Sequence, residues 1–122
     1  MKISQKDYEK FIDKYPNLTT HGFGVCSGPF DIADEHNNLK KLRREFLLCI
    51  EMWNNKFSIN DEDGYEMCTN YLKHRAEHYS WNVKGKNLYV PQGACVAALL
   101  YLGLPYTKST RTTAIIVNAK ES

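Results

Sequence analysis

The sequence has almost no charge of either sign to spare. Sixteen Lys and Arg against 14 Asp and Glu leave a formal net charge of +2, so no strong overall field steers the protein towards nucleic acid or anionic lipid. Long apolar runs are absent as well: nothing approaches the roughly 20 consecutive residues that cross a bilayer. The opening Met1-Lys2-Ile3-Ser4-Gln5-Lys6 lacks the apolar stretch of a secretion signal. The expected location is the cytoplasm, with no membrane partner. Cysteine is sparse, and Cys26, Cys49, Cys68 and Cys95 include no pair at the close spacing of a zinc knuckle or redox motif. Cys49, Cys68 and Cys95 fall among apolar residues, the usual setting of buried free thiols, and all four are expected to be reduced. Repeats and low-complexity stretches are missing too. What is present is an ordinary globular composition: 122 residues, 43% hydrophobic, enough for one core and one domain spanning residues 1–122.

Hydrophobic spacing supplies the elements. Ser4-Gln5-Lys6-Asp7 is a capping-type start, and Tyr8, Phe11, Ile12 and Tyr15 share one face of a helix predicted over 4–15, which Pro16 ends. Residues 16–33, rich in Gly and Pro, read as a long, partly apolar loop. Leu39, Leu42, Phe46, Ile50 and Trp53 recur at helical spacing and predict one helix over 34–56. Asn60-Asp61-Glu62-Asp63-Gly64 is a stop and restart, after which Tyr65, Cys68, Leu72, Ala76 and Tyr79 predict a third helix ending near Tyr79. Residues 81–86 read as a turn. Leu88-Tyr89-Val90 reads as a short extended piece that pairs with a strand over 112–117. Pro91 opens a fourth helix whose body, Ala94 to Leu102, is apolar all round and therefore central, with Gly103 closing it. The expected fold is α+β and mostly helical: about four helices around that buried C-terminal helix, with a small two-stranded sheet.

Three groups of residues invite chemistry. His74-Arg75-Ala76-Glu77-His78 has the H-x-x-E-H spacing of inverted zinc peptidases. The only acidic residue downstream is Glu121, near the end of the chain in an expected mobile tail, so a solvated helix face is the preferred reading and no metal is assigned. Cys26 sits in Gly22-Phe23-Gly24-Val25-Cys26-Ser27-Gly28-Pro29 with His21 nearby. A thiol nucleophile needs a base within reach, and the preferred reading has Val25 and Cys26 packing inward, the glycines serving tight turns and not a phosphate. Lys40, Lys41, Arg43 and Arg44 form a basic cluster able to meet nucleic acid phosphates, diluted by Glu35, Glu45 and Glu51. A helix-turn-helix over 65–102 is disfavoured, because its connection is too long and its second helix lacks polar side chains to read bases. No residue is assigned a catalytic role, and no cofactor is implied.

Thr69, Leu72-Lys73-His74 and Glu77, followed by Tyr89-Val90-Pro91-Gln92-Gly93-Ala94-Cys95-Val96-Ala97-Ala98 and Gly103-Leu104-Pro105, resemble small accessory proteins of bacteriophages and prophages. In these a Leu-Lys-His-x-x-Glu helix precedes an asparagine-glycine segment and an alanine-rich helix. The likeness covers the second half of the chain. Gln92 stands where the group has asparagine, and Asn70 where it often has an aromatic residue. The resemblance implies a protein that binds and inhibits a host enzyme or defence complex in the host cytoplasm, an anti-CRISPR-like inhibitor. Lys73, His74, Glu77, Trp81, Gln92, Arg43 and Arg44 are the candidate binding residues. Trp53, Tyr79 and Tyr106 are further aromatic candidates, with core packing as their competing role. Binding of a small molecule such as a nucleotide, through the glycine-rich loop and the Lys73 group, is the alternative. Nucleic-acid binding through Arg43 and Arg44 is the third.

Overall fold

The computed structural model describes residues 3–60, 62, 64–110 and 112–122. Met1, Lys2, Arg111 and the Asp61 and Asp63 of the expected stop lie outside the described residues. In chain order the elements are α1 (Gln5–Asp13), β1 (Leu18–Thr19), β2 (Gly22–Phe23), α2 (Ile32–Leu39), α3 (Arg43–Lys56), β3 (Phe57–Ile59), β4 (Tyr65–Cys68), α4 (Thr69–Lys84), α5 (Gln92–Tyr101), β5 (Thr107–Lys108) and β6 (Ile115–Glu121). The fold is α+β and mostly helical. α1 begins as its cap predicts: Ser4 Oγ accepts the Asp7 N–H at 3.1 Å, satisfying an amide that has no partner inside the helix. The segment after Pro16 is more than loop, since β1 and β2 form an antiparallel hairpin.

The single helix expected over 34–56 is two. The amides of Lys40, Lys41 and Leu42 bond to carbonyls three residues back, at 3.2, 3.1 and 3.0 Å, which winds the chain into a tight turn that an α-helix cannot continue through. Asn37 and Asn38, poor helix formers, stand just before it. Each half also has its own anchor. Buried His36 bonds to the Leu18 carbonyl at 2.7 Å and to Asp13 at 3.1 Å, and Lys40 reaches Asp13 at 2.6 Å. These contacts dock α2 on the hairpin and α1, while α3 lies along α5. The stripe survives the break, with Leu39, Phe46, Ile50 and Trp53 buried and Leu42 half-buried against them.

Two further expectations are corrected nearby. Residues 65–68 are strand, paired antiparallel with β6 from Tyr65↔Ala119 to Cys68↔Ile116. The Tyr65–Cys68 spacing suits a helix, but a neighbouring strand supplies every rung of a ladder, and four residues decide little by periodicity. Buried Thr69 marks the junction, its Oγ1 accepting the Ile115 N–H at 3.2 Å. The helix that follows is longer than expected: residues 81–84 are its last turn and no loop. Gly85 ends it at φ +66°, a left-handed conformation that a side chain disfavours.

The main sheet is built on β6. Ala119 pairs with Ile59 on one edge and Tyr65 on the other, and Ile116 pairs with Thr107 on one edge and Cys68 on the other. β3 and β5 therefore lie end to end along one edge of β6, with β4 along the other. Residues 88–90 take no part, contrary to the expected pairing, because the Val90 amide is claimed by a side chain of α4. Along β6, buried Ile115, Val117 and Ala119 alternate with more exposed neighbours, placing one face of the sheet on the core.

α5 is the interior rod. Every residue from Gly93 to Leu100 is buried, and α3, α4 and the hairpin pack around it. Its start is pinned to the hairpin: the Gly93 N–H donates to the Thr20 carbonyl at 2.9 Å. A Cβ on Gly93 would lie 2.8 Å from both the Thr19 carbonyl carbon and the Thr20 Cα, with the Thr19 oxygen nearer still. Only glycine permits so close a crossing of two backbones.

Candidate functional site

The exposed side of α4 carries the largest set of sequence-nominated residues. Its opposite side buries Leu72, Ala76 and Tyr79, so the helix presents a fixed outer face. Lys73, Glu77 and Trp81 stand at successive four-residue steps and His74 three before Glu77, positions that stack along one side of a helix. Lys73 is 8% exposed. Its Nζ lies 3.7 Å from Glu77 Oε2 and 4.9 Å from the centre of the Tyr89 ring. The other carboxylate oxygen of Glu77 is 3.0 Å from His74 Nδ1, which carries the proton of that bond because a carboxylate can only accept. Oε2 also accepts the Val90 N–H at 2.8 Å. Burial pushes the Glu77 carboxyl up, but the Val90 amide, His74 and Lys73 outweigh it and hold the group below the ordinary carboxylate value. Glu77 is thus a clamp for the segment that links α4 to α5. With its oxygens engaged, it is not placed to act as a general base.

The zinc-peptidase spacing acquires no third ligand. Glu121 lies in β6, ion-paired with Arg75, and not in a mobile tail. Among the described residues no group of three or more His, Cys, Asp or Glu is placed to hold a metal.

Gln92 is brought to a different junction. Its Nε2 donates to the His21 carbonyl at 2.7 Å and to Thr113 Oγ1 at 3.0 Å, and Thr113 Oγ1 itself donates to the His21 carbonyl. Both amide protons of Gln92 are used in tying the hairpin and Thr113 to the start of α5. The nearby Cys26 is exposed and does not pack inward as expected. Its main-chain N–H donates to His21 Nδ1 at 2.9 Å, so that ring nitrogen is occupied and cannot take the thiol proton. Glu35, beside this junction, is held below the ordinary range by the Thr20 hydroxyl and then Asn38.

Arg43 and Arg44 belong to another surface, a cleft between α3 and the end of α4. The basic cluster of the sequence is divided there, since Lys40 turns away to Asp13. The aromatic candidates divide as well. Trp53 and Tyr79 are core, Trp53 stacking on Phe57 with ring centres 5.5 Å apart, and neither is open to a partner. Trp81 and Tyr106 are exposed. Sequence reasoning missed Tyr89, which is 70% exposed beside Lys73; it lies in an irregular segment, where no periodicity separates an inward from an outward aromatic residue. No helix of the described residues is long and apolar enough to cross a membrane. Set against protein-family models, curated proteins and solved structures, the chain has no match.

Proposed function

We propose that the protein acts by binding another protein, and that the outer face of α4 with Tyr89 is the contact surface. The observation that carries this reading is the exposure of Trp81, at 61%, and of Tyr89, at 70%, on a backbone that the core and the Glu77 clamp hold fixed. Large aromatic side chains on a rigid element supply contact area at little entropic cost, and Trp and Tyr dominate interface energetics. His74 is the exposed polar neighbour that orients a partner, while buried Lys73 and the engaged Glu77 hold it and Tyr89 in place. Following the resemblance to phage accessory proteins, the partner is a host enzyme or defence complex in the cytoplasm, inhibited by occlusion of its surface.

A photocrosslinking amino acid placed at position 81, with a control at the exposed Lys10 of α1, tests the reading in the native cellular background. A protein adduct is expected at 81 and not at 10, weakened by Tyr89→Ala. Equal labelling at both positions, or none at 81, would overturn it. An adduct at 81 that disappears on nuclease digestion would assign the face to nucleic acid instead.

A further inference from the structure

We infer that the cleft between α3 and the end of α4 is a binding site for a small organic phosphate, its anionic head drawn in by the basic side chains spread along it, Arg43, Arg44, Lys84 and Lys86, and its apolar body laid on Leu47, Leu48 and Leu88. The cleft has a volume of about 740 Å³, within the range of small-molecule sites. From Arg43 to Asn55 it follows α3 for about 18 Å at the helical rise. Four cations line it against one carboxylate, Glu51, an excess of three in one cleft of a chain whose whole formal charge is +2.

The cations retain capacity for a ligand. Glu51 is shared between Lys84 at 3.0 Å and the Tyr79 hydroxyl, which donates to it at 2.7 Å. Arg43 spends one Nη1 donor on the Ile3 carbonyl at 2.8 Å, leaving the rest of its fork. Arg44 makes a long 3.4 Å contact with Glu45 and is otherwise open to solvent. Lys86 forms no ion pair among the described residues. Its main chain is nonetheless fixed, because the Ser80 hydroxyl donates to its carbonyl at 2.9 Å.

The shape of the cleft selects a small ligand over a macromolecule. Ile50 and Ser80 line it although only 2% and 1% exposed, so its floor is almost closed to solvent. An extended peptide would bury backbone N–H and C=O groups against leucine. A phosphate on a slim apolar or heterocyclic body satisfies both ends, since Arg and Lys are the side chains that hold phosphate.

Calorimetric titration of the intact protein with inorganic phosphate, adenosine monophosphate, decyl phosphate below its micellar concentration and decanol tests the site and separates a heterocyclic from an alkyl body. At least one organic phosphate is expected to bind about tenfold or more tightly than inorganic phosphate, and to lose about tenfold in Arg44→Glu and Lys86→Glu, both exposed positions. Asn54→Trp, which fills the cleft from an exposed position, should abolish binding while unfolding at the normal temperature. Failure of both organic phosphates to exceed inorganic phosphate, decanol binding as tightly as decyl phosphate, or binding that survives the two charge reversals would each overturn the site. Crosslinking at position 81 should persist in Lys86→Glu, so the outcome here is independent of the partner-binding reading.

Discussion

Gly93→Ala is the substitution whose sign separates local propensity from tertiary structure. In an exposed helix the change is favourable by up to about 1 kcal/mol, through helix propensity and reduced freedom of the unfolded chain. At position 93 the new methyl would lie 2.8 Å from the Thr19 carbonyl carbon and the Thr20 Cα and would collide outright with the Thr19 oxygen, where ordinary contact begins at 3.4 Å, so the hairpin and the start of α5 must part by well over half an ångström. Overpacking of that kind costs about 1–3 kcal/mol. Loss of the Gly93–Thr20 hydrogen bond leaves a buried donor and acceptor unpaired, for about 1–3 kcal/mol more. Set against the favourable term of up to about 1 kcal/mol, the net is a loss of about 1–5 kcal/mol, which in a domain of this size lowers the unfolding midpoint by roughly 4–20 °C. Calorimetry and urea titration should show it, with the urea slope unchanged. Gly85→Ala, at φ +66° with open space around the new Cβ, should lose only about 1 kcal/mol. A midpoint for Gly93→Ala equal to or above the parent's would refute the close backbone crossing as the reason for glycine there.

Three other perturbations test the remaining assignments. Because Glu77 titrates below its ordinary value when folded, its stabilisation is fully present above about pH 5 and is lost as acid carries the pH down through the depressed value. Glu77→Gln should therefore narrow the stability difference between pH 7 and pH 4 in thermal unfolding, and an unaltered difference would remove the clamp. Trp53→Ala should cost about 3–5 kcal/mol in urea unfolding, as a buried aromatic truncation, whereas Trp81→Ala should stay within about 0.5 kcal/mol yet lose the partner adduct formed by a crosslinker placed at position 89. Of the four thiols, Cys26 should react with an aromatic disulfide reagent in the native state, while Cys49 and Cys95 wait for unfolding. Both are buried, and the neighbouring Cys95 together with burial pushes the Cys49 thiol well above its ordinary range.

The buried rod was legible because Ala94 to Leu100 holds only aliphatic residues and one cysteine, and a helix with no polar side has one place to go; the expected burial stops short of Tyr101, which is exposed. The amphipathic faces of α1 and α3 were legible for a related reason: their apolar stripes are long enough to fix a phase. The failures came where a few residues were settled by distant partners. Asn37 and Asn38 stand just before an unbroken apolar stripe that begins at Leu39, too weak a signal to mark a break, and the docking of His36 and Lys40 on Leu18 and Asp13 completes the split. Tyr65 to Cys68 carries no period of its own and takes its state from β6. For the candidate site, Lys73, His74 and Glu77 were grouped by the resemblance and Trp81 was nominated separately as an aromatic anchor in an expected turn; the longer α4 brings the four onto one helix. Gln92 was grouped with them through the resemblance, although its hydrogen bonds lead to His21 and Thr113, 71 and 21 residues away. The contrast between Trp53 and Trp81 was not legible at all, since tryptophan anchors cores and interfaces alike.

The placement of β6 also sets an order of events during synthesis. It follows every strand it joins, so β3, β4 and β5 leave the ribosome with bare edges and stay so until Ile115 to Glu121 emerges. By then the helical half already has its rod. A nascent chain stalled before that point should expose sticky, half-built sheet beside a finished helical core, and chaperone capture should peak there and vanish once the last strand clears the tunnel.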